Sequence, residues 1–531
     1  MRFALRLSCS ASSLLLLLSV SVATARAELF DLIIRRASLL DGTGAPAYAG
    51  DLAIRGDRII ALGQLPANST AATEIDAAGR VVAPGFIDVH THSEDITELP
   101  AGENFLRMGV TTIVTGNCGG SKLNVAKFFA DLVKTKVALN VATLIGHNTV
   151  RGQVMGGSFA RPPTAEELAK MCALVDQAMR DGAVGLSTGL LYLPGTFAKT
   201  DEIVALAKAA AAHDGIYASH MRQENAQIRD ALDEVVTIAR EAKIRTEVSH
   251  IKLSGPTAWG RAQEILTYLD GLRAQGIALT HDQYVYTAAS TGIGANTIES
   301  EFREGGAQRF RERLADPAIK ARIVAAMTHS IEQGKRGDYT YAVVADFPAD
   351  QRLNGKTIPQ AAKFLRGADT LDDQIETILD LEARGGAQGV FHGMSEADLK
   401  TFLAHPLTMI ASDSGVRKFG DAVPHPRGYG NNARVLARYV REQKIITLAD
   451  AVRKMTSLPA KTFHLADRGE LRPGAIADVV IFDPATVNDP STYDDPHHYA
   501  VGFTDVLVNG VPVIRDSQLT VARPGTPVRL K

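Results

Sequence analysis

Cysteine is scarce in this chain, with three in 531 residues. One of them, Cys9, sits at the extreme N-terminus, so the remainder holds only Cys118 and Cys172. Two thiols make no disulfide framework. Excess charge is also missing. Lysine and arginine number 57 and aspartate and glutamate 59, a formal net charge of −2. With no basic stripe, no nucleic-acid partner is expected. There is no internal repeat and no low-complexity linker. The absence of a glycine-rich phosphate fingerprint after a first strand disfavours a doubly wound nucleotide-binding sheet. A hydrophobic share of 45% fits a soluble globular protein. The length suits one α/β barrel plus a smaller domain, as well as about three average domains.

What is present begins with an address. Arg2 and Arg6 precede the leucine run Leu14–Leu18, and Ala25-Arg26-Ala27 offers a small-x-small cleavage site. Residues 1–27 therefore read as a signal peptide, removed before Glu28 on export to the periplasm. The competing reading is a membrane anchor. The run is too short to span a bilayer comfortably, so no stable membrane insertion is expected. Cys9 precedes the apolar run and is not a lipoprotein cysteine.

Short strands and turns fill both ends of the mature chain. Leu29–Ile34 and Asp51–Ile54 are strand-like, and Arg55-Gly56-Asp57-Arg58 reads as a hairpin turn. Ala477–Phe482 and Val506–Ile514 have the same texture. Residues 28–82 and 467–531 are expected to pair into one small β-sandwich domain. Residues 83–466 alternate apolar strands with amphipathic helices, the pattern of βα units around a parallel sheet. Eight strand candidates end in residues able to do chemistry. The first runs into His90-Thr91-His92. The others lead in turn to Cys118, His147, Tyr192, His220, His250, His281-Asp282 and Asp413. In a (β/α)8 barrel the working residues gather at the C-terminal strand ends, on one face. The expected fold is α/β: a TIM-type (β/α)8 barrel, a small β domain from both chain ends, and an insertion before the last barrel strand. That insertion, at about 290–400, holds the helical stretches Ala307–Ala326 and Ser395–Ala404; a structureless loop of such length is implausible. The second stretch opens with a Ser395/Asp398 capping pattern. The insertion is placed over the barrel mouth.

A strand presents alternate side chains on one face, so His90 and His92 can reach one metal ion. A lone His-x-His is weak, because exposed strands carry chance pairs. Six metal-compatible groups at successive strand ends are hard to attribute to chance: His90, His92, Cys118, His220, His250 and Asp413. Singly, each has an ordinary explanation as a satisfied histidine, an inert thiol or a turn aspartate before Gly415. Cys172, inside the helical stretch Glu166–Met179, fits that ordinary explanation. Asp413 has a second candidate task, taking a proton from water and passing it to a leaving amine.

The segments Pro84–His92, Gly109–Gly120, Gly185–Ala198, Ser219–Glu224, Val248–Lys252, Ala411–Gly415 and His425–Gly430 resemble the amidohydrolase superfamily. More closely, they resemble its N-acyl-D-amino-acid deacylase (D-aminoacylase) branch. The most specific are Gly-Asn-Cys118-Gly, Gly-Leu-Leu-Tyr192-Leu-Pro-Gly, Ser-His220-Met-Arg, Ser-His250-Ile-Lys252 and Pro-His-Pro-Arg427. Hydantoinase-like and dihydroorotase-like relatives carry a carboxylated lysine at the fourth strand end, where this chain has Ser187-Thr188-Gly189. The resemblance implies one tightly bound zinc on Cys118, His220 and His250. A second, weaker position would use His90, His92 and Asp413, with Cys118 bridging. It also implies that Arg427 and Lys252 hold the substrate carboxylate, helped by Tyr284 and Ser290, with Tyr192 lining the pocket. Tyr284-Val285-Tyr286 departs from the family's Tyr-Pro-Tyr and leaves both tyrosines open. The implied activity is zinc-dependent hydrolysis of N-acyl-D-amino acids to a carboxylate and a D-amino acid. The alternatives are a dipeptidase for peptides ending in a D-residue and a dihydroorotase-type cyclic-amide hydrolase, the latter disfavoured by the missing lysine. A catalytically dead scaffold would have lost ligands, and all six candidates are present.

Overall fold

The structure is a computed structural model and describes residues 29–530. The signal-peptide reading of residues 1–27 lies outside them. Among the described residues, no helix is long and apolar enough to cross a membrane. The chain opens with β1 (Leu29–Leu39), β2 (Tyr48–Arg55), β3 (Arg58–Gly63), β4 (Thr70–Asp76) and β5 (Val81–Pro84). Arg55 and Arg58 pair across the turn between β2 and β3.

Parallel strands follow. They are β6 (Phe86–Asp88), β7 (Val110–Thr115), β8 (Asn140–Thr143) with its short continuation β9 (Ile145–Gly146), β10 (Gly185–Gly189), β11 (Ile216–His220), β12 (Arg245–Val248) and β13 (Leu279–Gln283). β6, β7 and β8 pair in order, as do β9 through β13. Helices separate them, and their local origin is readable. In Ala165–Arg180, Thr164 accepts from the Glu167 N–H and Glu167 reaches back to the cap. Met171, Val175, Ala178 and Met179 of that helix form its buried stripe. Side chains alternate along the strands. Ile216 and Ala218 join a cluster with Ile87, Val114, Met409 and Ala411, while Tyr217 between them packs into the larger core.

β14 (Ala288–Gly292), β15 (Ala342–Asp346) and β16 (Gln388–His392) form a separate antiparallel sheet. It has its own core, including Ile293, Phe310, Ile323, Phe347 and Ile375. The single helical stretch expected over Ala307–Ala326 is two helices, Gly306–Ala315 and Pro317–Gln333. Pro317 lacks the N–H a continuous helix needs. Asp316 instead caps the second helix, accepting from the N–H groups of Ala318 and Ile319 at 2.8 and 3.3 Å. Helix Glu396–Ala404 starts at Ser395, whose hydroxyl accepts from the Asp398 N–H, as the capping pattern anticipated.

β17 (Thr408–Ile410) then pairs with β13 in parallel. Beyond it, the Asp413 N–H donates to His90 O at 3.0 Å and the His92 N–H to Ser414 O at 2.9 Å. At the other edge, the Val184 N–H donates to Thr143 O at 2.9 Å. Both edges of the parallel strands are thereby joined.

The last strands are β18 (Val479–Phe482), β19 (Phe503–Val508), β20 (Val511–Arg515) and β21 (Gln518–Leu519). With β1–β5 they make one nine-stranded sheet, in which β5 pairs antiparallel with β18. Val480 and Phe482 face the core shared with Phe86, while Val479 and Ile481 join Leu32, Ile34 and Leu52 on the other face. Burying each such side chain stabilises by about 1.5–3 kcal/mol. This sheet therefore anchors β5, which continues through Gly85 into β6, the strand that leads into His90.

Candidate metal centre and active site

The strand ends bring His90, His92, Cys118, His220, His250 and Asp413 together. Cys118 Sγ lies 3.3 Å from His90 Nε2 and 3.6 Å from both His220 Nδ1 and His250 Nε2. His220 Nδ1 and His250 Nε2 are 2.8 Å apart. Asp413 Oδ1 lies 3.2 Å from His92 Nε2 and 3.6 Å from His90 Nε2. Around a tetrahedral ion with bonds of about 2.0–2.3 Å, nitrogen and sulfur ligands stand about 3.5 Å apart. The thiol–imidazole distances span that value. Among the described residues the donors fall into three groups: His90 with Cys118 and His250, His90 with His92 and Asp413, and His220 with Glu224 and His250. The first two share His90, and the first and third share His250.

The backbone is bent to make this convergence. Cys118, His250 and Asp413 have φ of 50°, 37° and 52°. Non-glycine residues seldom occupy this left-handed region, and sparsely populated conformations cost about 1–3 kcal/mol each. Neighbours hold them there. Asp88 accepts from the N–H groups of His90 and Ser412 at 3.2 and 3.1 Å, and Asp282 Oδ1 accepts from the His250 N–H at 2.9 Å. The end of β10 comes so close to the Cys118 turn that a Cβ at Gly189 would lie 2.0 Å from Cys118 O.

The charges suit a metal ion. Burial works against the Cys118 thiolate, but His90, His220 and His250 outweigh it and hold the thiol well below its ordinary 9.0. Burial likewise opposes ionisation of Asp413, and Arg427, His250, His92 and His90 reverse that. Burial lowers His220, leaving a neutral imidazole fit to ligate. Burial also opposes the charge on His90, His92 and His250, but the anions of Cys118, Asp282, Asp413 and Glu224 outweigh it and raise all three. These three would therefore give up protons to a binding metal ion. The cluster thus offers a thiolate, a carboxylate and imidazoles, a donor set that fits zinc.

Two contributors escaped the sequence reading. Glu224 accepts from Lys252 Nζ at 2.6 Å and lies 3.0 Å from His250 Nδ1 and 4.0 Å from His220 Nε2. It faces the far nitrogens of the two histidines whose near nitrogens face Cys118. Carboxylates so placed orient ligand histidines. Asp282 Oδ2 lies 3.4 Å from His90 Nδ1 and does the same there. Both were signalled: Glu224 follows His220 by four residues, and Asp282 ends the seventh strand beside His281. His281 itself faces elsewhere, toward Thr408 Oγ1 at 2.8 Å and Arg273.

A cavity of about 670 Å³ opens on the cluster, lined by His92, Cys118, Tyr192, Ser290, Asp413 and Arg427 among others. Arg427 Nη1 lies 2.7 Å from Asp413 Oδ2, and Nη2 donates to Ser290 O at 3.3 Å. The Arg427 guanidinium stands 4.6 Å from the Tyr284 ring centre. The Tyr192 hydroxyl accepts from Thr291 Oγ1 at 3.0 Å, and its ring lies 4.7 Å from that of His220. Lys252 and Tyr284 are buried and do not line the cavity; Lys252 is held by Glu224. The Tyr286 hydroxyl donates to Asp489 at 2.7 Å, which leaves Tyr284 as the tyrosine beside Arg427.

The family model for amidohydrolases matches residues 73–514. The chain belongs to the amidohydrolase family. This amidohydrolase is 35% identical to the D-aminoacylase of Alcaligenes xylosoxydans xylosoxydans over 521 residues, 93% of this chain and 97% of the relative. It is equally similar, at 35% over 525 residues, to the N-acyl-D-glutamate deacylase of the same organism, covering 94% and 97%. Among solved structures, it resembles N-acyl-D-glutamate deacylase from Bordetella bronchiseptica, complexed with zinc and a phosphonate mimic of the tetrahedral intermediate. That match has a TM-score of 0.81 and 34% identity, over 94% of this chain and 100% of the other. The amidohydrolase thus falls in the D-aminoacylase branch that its motifs indicated.

Proposed function

We propose that this protein hydrolyses the amide bond of N-acyl-D-amino acids, releasing a carboxylate and a D-amino acid. The observation that carries this is the thiolate–imidazole cluster around Cys118, set beside the Asp413–Arg427 pair in one cavity. The names of the relatives point to the same reaction. Cys118, His220 and His250 would hold one tightly bound zinc, and His90, His92 and Asp413 a weaker second position. Zinc, when bound, supplies Lewis acidity toward the amide carbonyl and acidifies water. Asp413, already ionised, accepts the proton of the attacking water and returns it to the leaving nitrogen. Arg427 uses only part of its donor set on Asp413 and Ser290, and the remaining N–H groups take the substrate carboxylate. Tyr284 seats the guanidinium, Lys252 adds its charge from behind His250, and Tyr192 and Ser290 form wall. With the carboxylate on Arg427 and the amide at the cluster, the side chain turns toward the insertion, which selects one hand.

At the level of architecture, we infer one closed (β/α)8 barrel from β6–β13 and β17. Residues 28–82 and 467–531 form the small β domain, and an insertion at about 290–400 crosses the mouth. The joined strand edges, the nine-stranded sheet and the cavity-lining Ser290 support this division. Export with cleavage after Ala27 rests on the basic start and the leucine run.

The test is a screen of zinc-loaded protein on N-acetyl-D-amino acids, their L-enantiomers and L-Xaa-D-Xaa dipeptides. Turnover of the D-series alone among the acetylated substrates, abolished by chelation, is expected. Turnover confined to dipeptides would make the protein a dipeptidase, and turnover of the L-series alone would sink the proposal.

A further inference from the structure

We propose that Arg417 reads a second carboxylate on the substrate, so that the preferred N-acyl-D-amino acids carry two anionic groups. This rests on the deacylase reading above. Arg417 and Arg427 line the same cavity. Arg427 is already paired with Asp413. Arg417 is not: its guanidinium makes one long hydrogen bond, from Nε to Ser414 Oγ at 3.4 Å, and among the described residues no carboxylate forms an ion pair with it.

The position of Arg417 is built, not incidental. Its N–H donates to Asn104 Oδ1 at 3.1 Å. Fully buried Asn104 also donates to Gly415 O and Gly428 O, at 3.2 and 2.9 Å. A Cβ at Gly428 would stand 3.5 Å from Arg417 Cγ and only 2.5 Å from Ser414 Oγ. The loop that carries Arg417 is therefore clamped to the helix start that carries Arg427. Arg417 is half-buried, whereas Lys418, Asp95 and Asp421 at the cavity mouth are exposed and solvated.

Charge completes the case. Burial and the neighbouring Arg427 charge both lower the Arg417 pKa, and Tyr429, Asp95 and Asp346, none of them hydrogen-bonded to it, offset this only in part. Arg417, Lys418 and Arg427 share the cavity with Asp95, Asp346, Asp413 and Asp421; Asp413 is committed to Arg427, and none of the four carboxylates forms an ion pair with Arg417. A planar guanidinium is matched by a carboxylate, which can take two of its donors at once. With Arg427 on the α-carboxylate, Arg417 is left for another. That second carboxylate has two sources, an acidic amino-acid side chain or a dicarboxylic acyl group. Equal identity to a D-aminoacylase and an N-acyl-D-glutamate deacylase does not choose between neutral and acidic substrates.

The test compares wild type, R417M and R417K on two substrate pairs. One pair is N-acetyl-D-glutamate and N-acetyl-D-glutamine; the other is N-succinyl-D-leucine and its neutral succinamoyl counterpart. Each pair differs by one charge at nearly constant shape, and a ratio within one preparation cancels any loss of folded protein. Wild type is expected to favour the acidic member of one pair by about tenfold or more in kcat/KM. The ratio should fall to unity in R417M and be partly restored in R417K. Preference in the first pair assigns the side chain, and preference in the second assigns the acyl group. If wild type distinguishes neither pair, or the ratio survives in R417M, the role of Arg417 is overturned while turnover of the neutral members keeps the deacylase reading. If no N-acyl-D-amino acid is turned over, both fall.

Discussion

Glu224 lies between Lys252 Nζ, at 2.6 Å, and His250 Nδ1, at 3.0 Å. Burial alone would keep its carboxyl protonated, but Lys252, His250 and His220 pull its pKa from 4.5 to about 2. A depression of that size corresponds to about 3 kcal/mol of stability in the metal-free protein. Because the folded pKa is depressed, the contribution is complete above the unfolded value of about 4.3 and is lost as pH falls toward 2. E224Q keeps the shape and removes the charge, leaving the Lys252 ammonium, 4% exposed, without its counter-ion. Breaking one partner of a buried pair costs about 3–5 kcal/mol, the same scale. Removing a carboxylate that orients ligand histidines costs a further 10- to 100-fold or so in metal affinity, roughly 1.4–2.8 kcal/mol. Thermal unfolding of zinc-free protein reads the first effect, and competition with a chelating dye reads the second. The double variant E224Q/K252M separates them: removing the orphaned ammonium should restore Tm but not zinc affinity. Wild-type Tm and zinc affinity in E224Q would refute both roles. Recovery of both in the double variant would leave Glu224 as a counter-ion for Lys252 only.

C118A should lose zinc and activity together, by metal analysis after dialysis; full zinc retention would remove the thiolate from the site. D413N should retain tight zinc while kcat falls about 10²- to 10⁴-fold, the range for a positioned acid–base group. R427M should raise KM for an acid substrate about ten- to a hundredfold, the worth of a charge-assisted contact of about 1.5–3 kcal/mol. It should have little effect on KM for the neutral amide analogue, and an equal rise on both would show that Arg427 does not read the carboxylate. Since Arg427 also pairs with Asp413, kcat should shift in the same variant. N-terminal sequencing of the exported protein should start at Glu28, and an intact Met1 in the soluble exported fraction would end the signal-peptide reading.

Much of the cluster was legible because its parts sit at predictable places. Apolar strand runs end at His90, Cys118, His220, His250 and Asp413, and βα alternation brings strand ends to one face. Caps were legible too, since Ser395 bonds a group three residues on. The break at Asp316-Pro317 was written in local chemistry, but the helical periodicity on either side obscured it. Contacts between distant segments were a different matter. Arg427 touches Ser290 across 137 residues, and Lys252 meets Glu224 across 28, behind His250 instead of on the cavity wall. Neither Tyr284 nor Tyr286 could be chosen until Arg427 and Asp489 were seen to take one each. Periodicity determines which face a side chain joins, and chain order determines which strand end it occupies. Which charges then meet, and which are left unpaired, depends on loop paths and left-handed turns such as those at Cys118 and Asp413, and these are set by packing between segments far apart in sequence.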